Sequence, residues 1–262
     1  MRRHPALKAV SAIATDQWGL VTTAQAKLAG LSSVDLARLH EAGLIESAGR
    51  GVYLVGGAPT PDHLEIKLAW LRLDPARPAW QRHHPGTYGG VASHTSACEL
   101  RELGDIPASS VEITVPARRT TREPGVKLHQ AAVDPSDVTI VDGLPVTTAE
   151  RTVADLLAAR ADGGHVGKVV ADALRLGQAD RTRLATRIAP FTKAYGLPRS
   201  ASGPDFLTYL LESAETTLPA IDREATRRAL DIVAKVFEEH GESGGLTAIK
   251  RLLDERSLED GS

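Results

Sequence analysis

Two helix starts stand close together near the N-terminus, and their arrangement leaves few folds open. Thr22 precedes Gln25 by three residues, and Ser32 precedes Asp35 by three. Each pair has the spacing of a capping box, in which side chain and backbone satisfy one another's free groups. Gly30 stands between them and Gly43 follows the second, where left-handed residues stop helices. The spacing predicts a helix from Thr23 to about Ala29 and a second bearing Val34, Leu36, Leu39 and Ala42, with Leu31 turned to the core. An earlier helix, Ala6–Ile13, carries Leu7, Val10 and Ile13 at helical intervals. Trp18 to Thr22 then reads as a short extended stretch. Two short helices joined by a glycine turn make a helix-turn-helix. The sequel is Leu44-Ile45-Glu46, the tight turn Ala48-Gly49-Arg50-Gly51, and Val52-Tyr53-Leu54-Val55. That is a hairpin. A helix-turn-helix followed by a glycine-rich hairpin has the order of a winged helix.

A motif of this kind places the start of its second helix in the major groove of duplex DNA. The residues so placed are Ser32, Ser33, Asp35, Arg38 and His40, with Ala37 beside them. Arg50, at the wing tip, is positioned to reach phosphate or the minor groove. Asp35 and Glu41 work against phosphate binding, so modest affinity per monomer is expected. Double-stranded DNA is the expected partner.

The rest of the chain is longer than one core usually organises, with 262 residues in all. The expected class is α+β: a winged helix-turn-helix over 1–57, a mixed α/β domain over 62–195, and a helical extension over 204–262. Ala58 to Pro61 and Gly196 to Gly203 are the linkers. In the middle part, Leu64, Ile66, Leu68, Trp70 and Leu71 form an amphipathic helix capped by Asp62. Val111–Val115, Val126–His129, Val138–Val141 and Leu144–Val146 read as strands. Helices follow at Thr95–Leu103, Ala149–Ala159, His165–Leu176 and Arg181–Ile188, the second capped by Thr147 with Glu150. A polar loop between two strands carries Arg118, Arg119 and Arg122. Three guanidiniums so close cannot all be buried cheaply, and they are expected to face water or an acidic partner. Charge is uneven. Residues 1–55 hold six Lys/Arg against four Asp/Glu, a net +2, whereas 196–262 hold 8 against 13, a net −5.

Catalytic and metal signals are weak. Cys98 is the single cysteine, which excludes an internal disulfide and any two-thiolate site. Asp62, Glu65 and Lys67 have the residue types of a restriction-like nuclease, but they fall within one or two turns of a single helix, with Glu65 and Lys67 pointing apart. His83 and His84 adjoin a turn and do not converge. His94 and Cys98 share a helix face without two further zinc ligands in evidence, so a capping or core role fits His94 better. No phosphate loop, nucleophile elbow or dinucleotide fingerprint is present. A non-enzymatic chain with no metal and no cofactor is expected. No apolar run approaches a membrane span or a signal peptide, which leads to a cytoplasmic expectation.

Three stretches resemble one family. The wing Arg50-Gly51-Val52-Tyr53-Leu54, the segment Ala92-Ser93-His94-Thr95-Ser96-Ala97 with Leu103-Gly104, and the run from Gly143 to Leu156 around Thr147-Thr148-Ala149-Glu150-Arg151-Thr152 are similar to those of the AbiEi-type antitoxins. The resemblance covers roughly residues 5–190. It implies a winged helix that represses its own promoter at inverted repeats. It also implies an α/β domain that counteracts a co-encoded nucleotidyltransferase-like toxin, in type IV toxin–antitoxin and phage-defence pairs. The linker at Ala58–Pro61 suggests that the two roles are separable, with Arg118, Arg119 and Arg122 as the partner-binding surface. The alternative is a winged-helix regulator whose α/β domain senses a ligand or dimerises.

Overall fold

The computed structural model describes residues 3–84, 86 and 88–217. Its first elements are those that local sequence signals define. Helix α1 spans Arg3–Ala14, strand β1 Leu20–Thr22, α2 Thr23–Leu28 and α3 Ser33–Glu41. Both capping boxes form. The Thr22 side chain accepts from the Gln25 backbone while Gln25 returns a bond to Thr22, and Ser32 and Asp35 do the same for α3. Strands β2 (Ile45–Gly49) and β3 (Val52–Val55) make the wing, turning at Arg50-Gly51, and β1 adds to its edge in the order β1-β3-β2. Gly51 has φ +70, the left-handed conformation the tight turn requires. Ala6, Val10, Val21, Ala26, Leu31, Leu36, Leu39 and Ile45 pack as one core beneath this unit. Val34, expected on the apolar face, is instead 54% exposed on the outer side of α3.

Helix α4 (Leu64–Leu73) follows. It is not capped by Asp62 as expected. His63 holds the cap position in a left-handed conformation and provides no side-chain cap bond. The buried face of α4 is Ile66 to Leu71, Lys67 included. A five-stranded sheet then assembles from β4 (Val91–Ala92), β5 (Val111–Val115), β6 (Val126–Gln130), β7 (Val138–Val141) and β8 (Leu144–Thr147), in the order β6-β5-β4-β8-β7. The β5–β6 and β4–β8 pairs are parallel; β4–β5 and β7–β8 are antiparallel. Helices α5 (His94–Arg101), α6 (Ala149–Ala158), α7 (Gly163–Arg175), α8 (Arg181–Ile188) and α9 (Gly203–Thr217) complete the described residues. The first of these begins and ends earlier than Thr95–Leu103, because Glu102 turns left-handed (φ 57) and stops it. For α6 the cap is Thr148, one residue later than expected; Thr147 ends β8, and its hydroxyl lies 2.7 Å from that of Thr152.

Two cores serve this second part. One lies among α5 to α9, with Val153, Leu157, Val166, Val170, Leu184, Ile188, Phe206 and Leu210 buried together. Helices α7 and α9 cross closely at Gly167, where any Cβ would run into the carbonyl oxygen of Leu210. The other core lies between α4 and the sheet, and it includes Leu20 and Val52 of the winged unit beside Ile66, Trp70, Ile113 and Val146. Polar bonds reinforce that junction. Gln17 accepts from the Ala79 backbone at 2.8 Å, Thr22 donates to the Pro75 carbonyl, and the Trp18 indole donates to the Asp142 carbonyl at 2.9 Å. Trp18 meets Trp70 edge-on, with ring centres 6.1 Å apart. Beyond Thr217, the helical extension expected over 204–262 lies outside the described residues. Among the described residues no helix is long and apolar enough to cross a membrane.

Candidate nucleic-acid interface

The outward face of α3 follows from what its inward face buries. Asp35, Leu36 and Leu39 turn in, so Ser32, Ser33, Val34, Ala37, Arg38 and His40 face solvent. These exposed residues do not all have free groups. The Ser32 hydroxyl donates to Asp35 Oδ2 at 2.7 Å, and the Ser32 N–H donates to the same oxygen at 3.0 Å. Those hydrogen bonds hold the Asp35 carboxyl down at about pKa 2. Asp35 is 7% exposed and committed to the cap. His40 sits in the last turn of α3, with Nδ1 3.1 Å from the Ile45 carbonyl oxygen, and so braces the start of the wing. Ser33 and Arg38 are exposed and make no side-chain hydrogen bond or ion pair within the described residues.

Arg50 lies at the wing turn, also exposed. The turn rests on α2: the Thr23 N–H donates to the Gly51 carbonyl at 2.9 Å. From the other side, Arg72 Nε of α4 donates to the Arg50 carbonyl at 3.1 Å while its guanidinium pairs with Glu123 at 2.8 Å. The basic loop after β5 arrives at the same place. Arg119 donates to the Leu73 carbonyl at 2.6 Å. The result is an open cleft of about 620 Å³ whose lining includes Lys27, Arg50, Arg72, Arg119 and Arg122, with Glu123 as its one carboxylate. Arg118 is exposed but does not line it. The structure therefore brings two of the three loop arginines to the wing. Lys27 and Arg72, which no local motif marks, join them. Each had a weak signal at most: Lys27 as the sole cation of α2, Arg72 as the polar end of an apolar helix.

The nuclease residues do not converge. Glu65 is exposed, whereas Lys67 is 1% exposed, bonded to the Asp62 carbonyl at 2.8 Å, paired with Asp142 and set 5.3 Å from the centre of a Trp18 ring. Lys67 is a buried strut between α4 and the β7–β8 turn. His83 instead reaches the Gly143 carbonyl, Nε2 to oxygen 2.9 Å.

His94 is buried, as expected, at the first position of α5 with φ 51. Its companions are not those the sequence suggested. Burial pushes the thiol of Cys98, on α5 itself, up to about pKa 12, so it stays protonated. The His94 ring stacks on His129 of β6, centres 3.7 Å apart and planes within 13°. His129 Nε2 lies 3.0 Å from Glu112 Oε1 of β5. Burial first, and the neighbouring His129 second, lower His94 to about pKa 4. Glu112 and His129 went unnoticed in the sequence. Their signal is the alternation of Glu112 with Thr114, and of Lys127 with His129, each pair on one face of its strand.

Comparison with known proteins bears on the first part of the chain. The family described as "Transcriptional regulator, AbiEi antitoxin" matches residues 8–56. A domain of that antitoxin-like regulator type is therefore present at the N-terminus. The matched family is one of regulators and not of enzymes, in line with the non-enzymatic expectation. A search of curated proteins found no match. Among solved structures, the Rv2827c protein of Mycobacterium tuberculosis is similar at 19% identity, over 80% of this chain and 77% of that one, with a TM-score of 0.47.

Proposed function

We propose that the chain is a DNA-binding autorepressor and antitoxin. Residues 3–57 bind inverted repeats in its own promoter, and the α/β domain that follows counteracts a co-encoded nucleotidyltransferase-like toxin. The match over residues 8–56 supports the regulator half of this reading. The observation that carries the DNA-binding half is the continuity of cation from Arg50 at the wing tip to Arg119 and Arg122 in the cleft. In a helix-turn-helix the first helix crosses the sugar-phosphate backbone while the second enters the groove. Lys27 on α2 and the wing turn border the cleft, so the cleft lies where flanking phosphates run. Five cationic side chains against Glu123 suit a polyanion. The loop arginines are thus assigned to phosphate rather than to the toxin. Ser33 and Arg38 are left to read bases.

The test is a fluorescence titration of the full chain with its promoter duplex and with random duplex, over a range of salt. Binding is expected to favour the promoter and to weaken steeply with salt. Arg38→Ala is expected to cost about 1–3 kcal/mol and relax specificity at one position. Arg50→Ala and Arg119→Ala/Arg122→Ala are expected to weaken both duplexes alike and to flatten the salt slope by about one for each phosphate no longer neutralised. Equal affinity for promoter and random duplex would sink the repressor reading. An unchanged salt slope in the double variant would remove the cleft from it.

A further inference from the structure

One cluster in the α/β domain belongs to no part of that reading. The ligating atoms of His94, Glu112 and His129 all lie within 4.8 Å of one another, although the residues come from α5, β5 and β6. Two of the three are held by a further contact outside the cluster. Thr95 donates to Glu112 Oε2 through its N–H at 3.1 Å and its hydroxyl at 2.8 Å, which fixes the carboxylate and leaves Oε1 directed at His129. His94 Nδ1 lies 2.9 Å from the Ser93 hydroxyl, itself bonded by Thr114 at 2.8 Å. With Nδ1 so engaged, Nε2 is the free nitrogen of His94, and it has no hydrogen-bond partner within the described residues. His94 also takes a left-handed backbone conformation that a non-glycine residue adopts at a cost, commonly at functional positions.

We propose that His94, Glu112 and His129 form a binding site for one divalent ion of the zinc class. Two imidazoles and one carboxylate are the donor set of zinc sites that keep a position open. Harder ions such as magnesium and calcium take oxygen ligands and are poorly served here. The geometry is close to what the ion needs. Ligands about 2.0–2.1 Å from a tetrahedral zinc stand roughly 3.3 Å apart, and His129 Nε2 is already 3.0 Å from Glu112 Oε1. The ion takes the place of the proton between them. The His94 ring must turn out of its stack, since an ion lies in the plane of each imidazole it binds. Ser93 and Thr95 supply the outer hydrogen bonds that orient a ligating histidine and carboxylate. The competing group is Lys127, whose ammonium sits 3.1 Å from Glu112 Oε1 and whose side chain is 58% exposed. It fills the carboxylate's coordination when no ion is there and can swing away to solvent.

The experiment uses the tag-free, metal-stripped full chain, titrated with zinc against a chromophoric chelator and with cobalt for its visible absorption. One ion per chain is expected, with a cobalt spectrum of low coordination number. His94→Asn and His129→Asn are each expected to weaken binding more than tenfold with the far-ultraviolet circular dichroism unchanged. Lys127→Met is expected to tighten it, because the carboxylate loses its rival cation. Absence of saturable binding overturns the site, and so does wild-type affinity in both histidine variants. Should those variants unfold, Lys127→Met decides: tighter binding supports the site, unchanged or weaker binding overturns it. None of these outcomes depends on DNA binding.

Discussion

Asp35 satisfies two readings of the sequence, a groove-facing residue and a capping residue, and its hydrogen bonds show the second. By position it belongs to the groove-facing start of α3. By chemistry it is the third residue of a capping box, and its carboxylate accepts from the Ser32 N–H and hydroxyl. The cap also removes the objection that a carboxylate there repels phosphate, since the charge faces the helix N-terminus that stabilises it. The pH consequence has a definite sign. The Asp35 carboxyl is lowered to about 2 in the folded chain, against about 3.9 in an unfolded one. Its contribution is therefore complete above pH 4 and is lost as pH falls from 4 towards 2. Asp35→Asn is expected to lower the urea midpoint at pH 7 and to flatten the acid limb between pH 4 and 2, while leaving promoter specificity intact. Chemical denaturation at a series of pH values checks the first two effects. A changed base preference would return Asp35 to the groove. Arg82 keeps its charge in a different setting. It is wholly buried over the Trp70 ring at 3.5 Å, and burial lowers it to about pKa 9, so it remains charged at neutrality. Its partners there are the carbonyls of Trp70 and Tyr88.

Elements were legible in the sequence where their signals are local. Both capping boxes, the stop at Gly30 and the wing turn depend on residues within four positions of one another, so α2, α3 and the hairpin could be read directly. Where a shift of one residue changes nothing in the pattern, local signals do not fix the boundary. Thr147 and Thr148 both suit a cap, and only strand pairing with Val138 decides that Thr147 belongs to β8. The sheet order was not legible at all. Strand β4 is two residues long and joins strands distant in sequence. The cleft and the His94–Glu112–His129 cluster were hidden for the same reason: each is made by contacts across long separations, which spacing does not encode. Gly167 illustrates the point for helices. Inside a helical pattern it reads as a mild defect, yet it is where α7 and α9 touch. Gly167→Ala would put a methyl against the Leu210 carbonyl, and the two helices must part. The expected cost is about 1–3 kcal/mol, seen as a lower urea midpoint, with faster hydrogen exchange concentrated in α9. A neutral substitution would mean that α9 does not hold this close approach in solution.

The linker at Ala58–Pro61 suggests that repression and antitoxin action can be separated. Residues 3–57 and the α/β part are distinct in their element patterns, but they share apolar surface. Leu20 and Val52 pack with Ile66 and Trp70, Trp18 stands against Trp70, and Gln17 and Thr22 tie the Ala79 and Pro75 backbones. A truncation beginning near Pro59 removes all of these at once and leaves Trp70 without the Trp18 ring against it. Such a fragment is expected to be less stable than the full chain and to expose apolar surface, as judged by thermal melting and dye binding. Loss of rescue by that fragment would then speak of folding and not of function. Point changes avoid this, because Arg38 and Arg50 are exposed and their side chains make no hydrogen bond or ion pair within the described residues. The full chain carrying Arg38→Ala and Arg50→Ala, expressed from an unrelated promoter beside the toxin gene, is expected to restore growth while failing to repress a promoter–reporter fusion. Adding Arg119→Ala and Arg122→Ala is expected to leave rescue unchanged, since the cleft arginines are assigned to DNA. If the Arg38/Arg50 variant is folded and abundant yet gives no rescue, antitoxin action runs through DNA binding and the two roles are one. If rescue is lost only when Arg119 and Arg122 are also changed, the loop serves the toxin's side, and the phosphate assignment of the cleft fails.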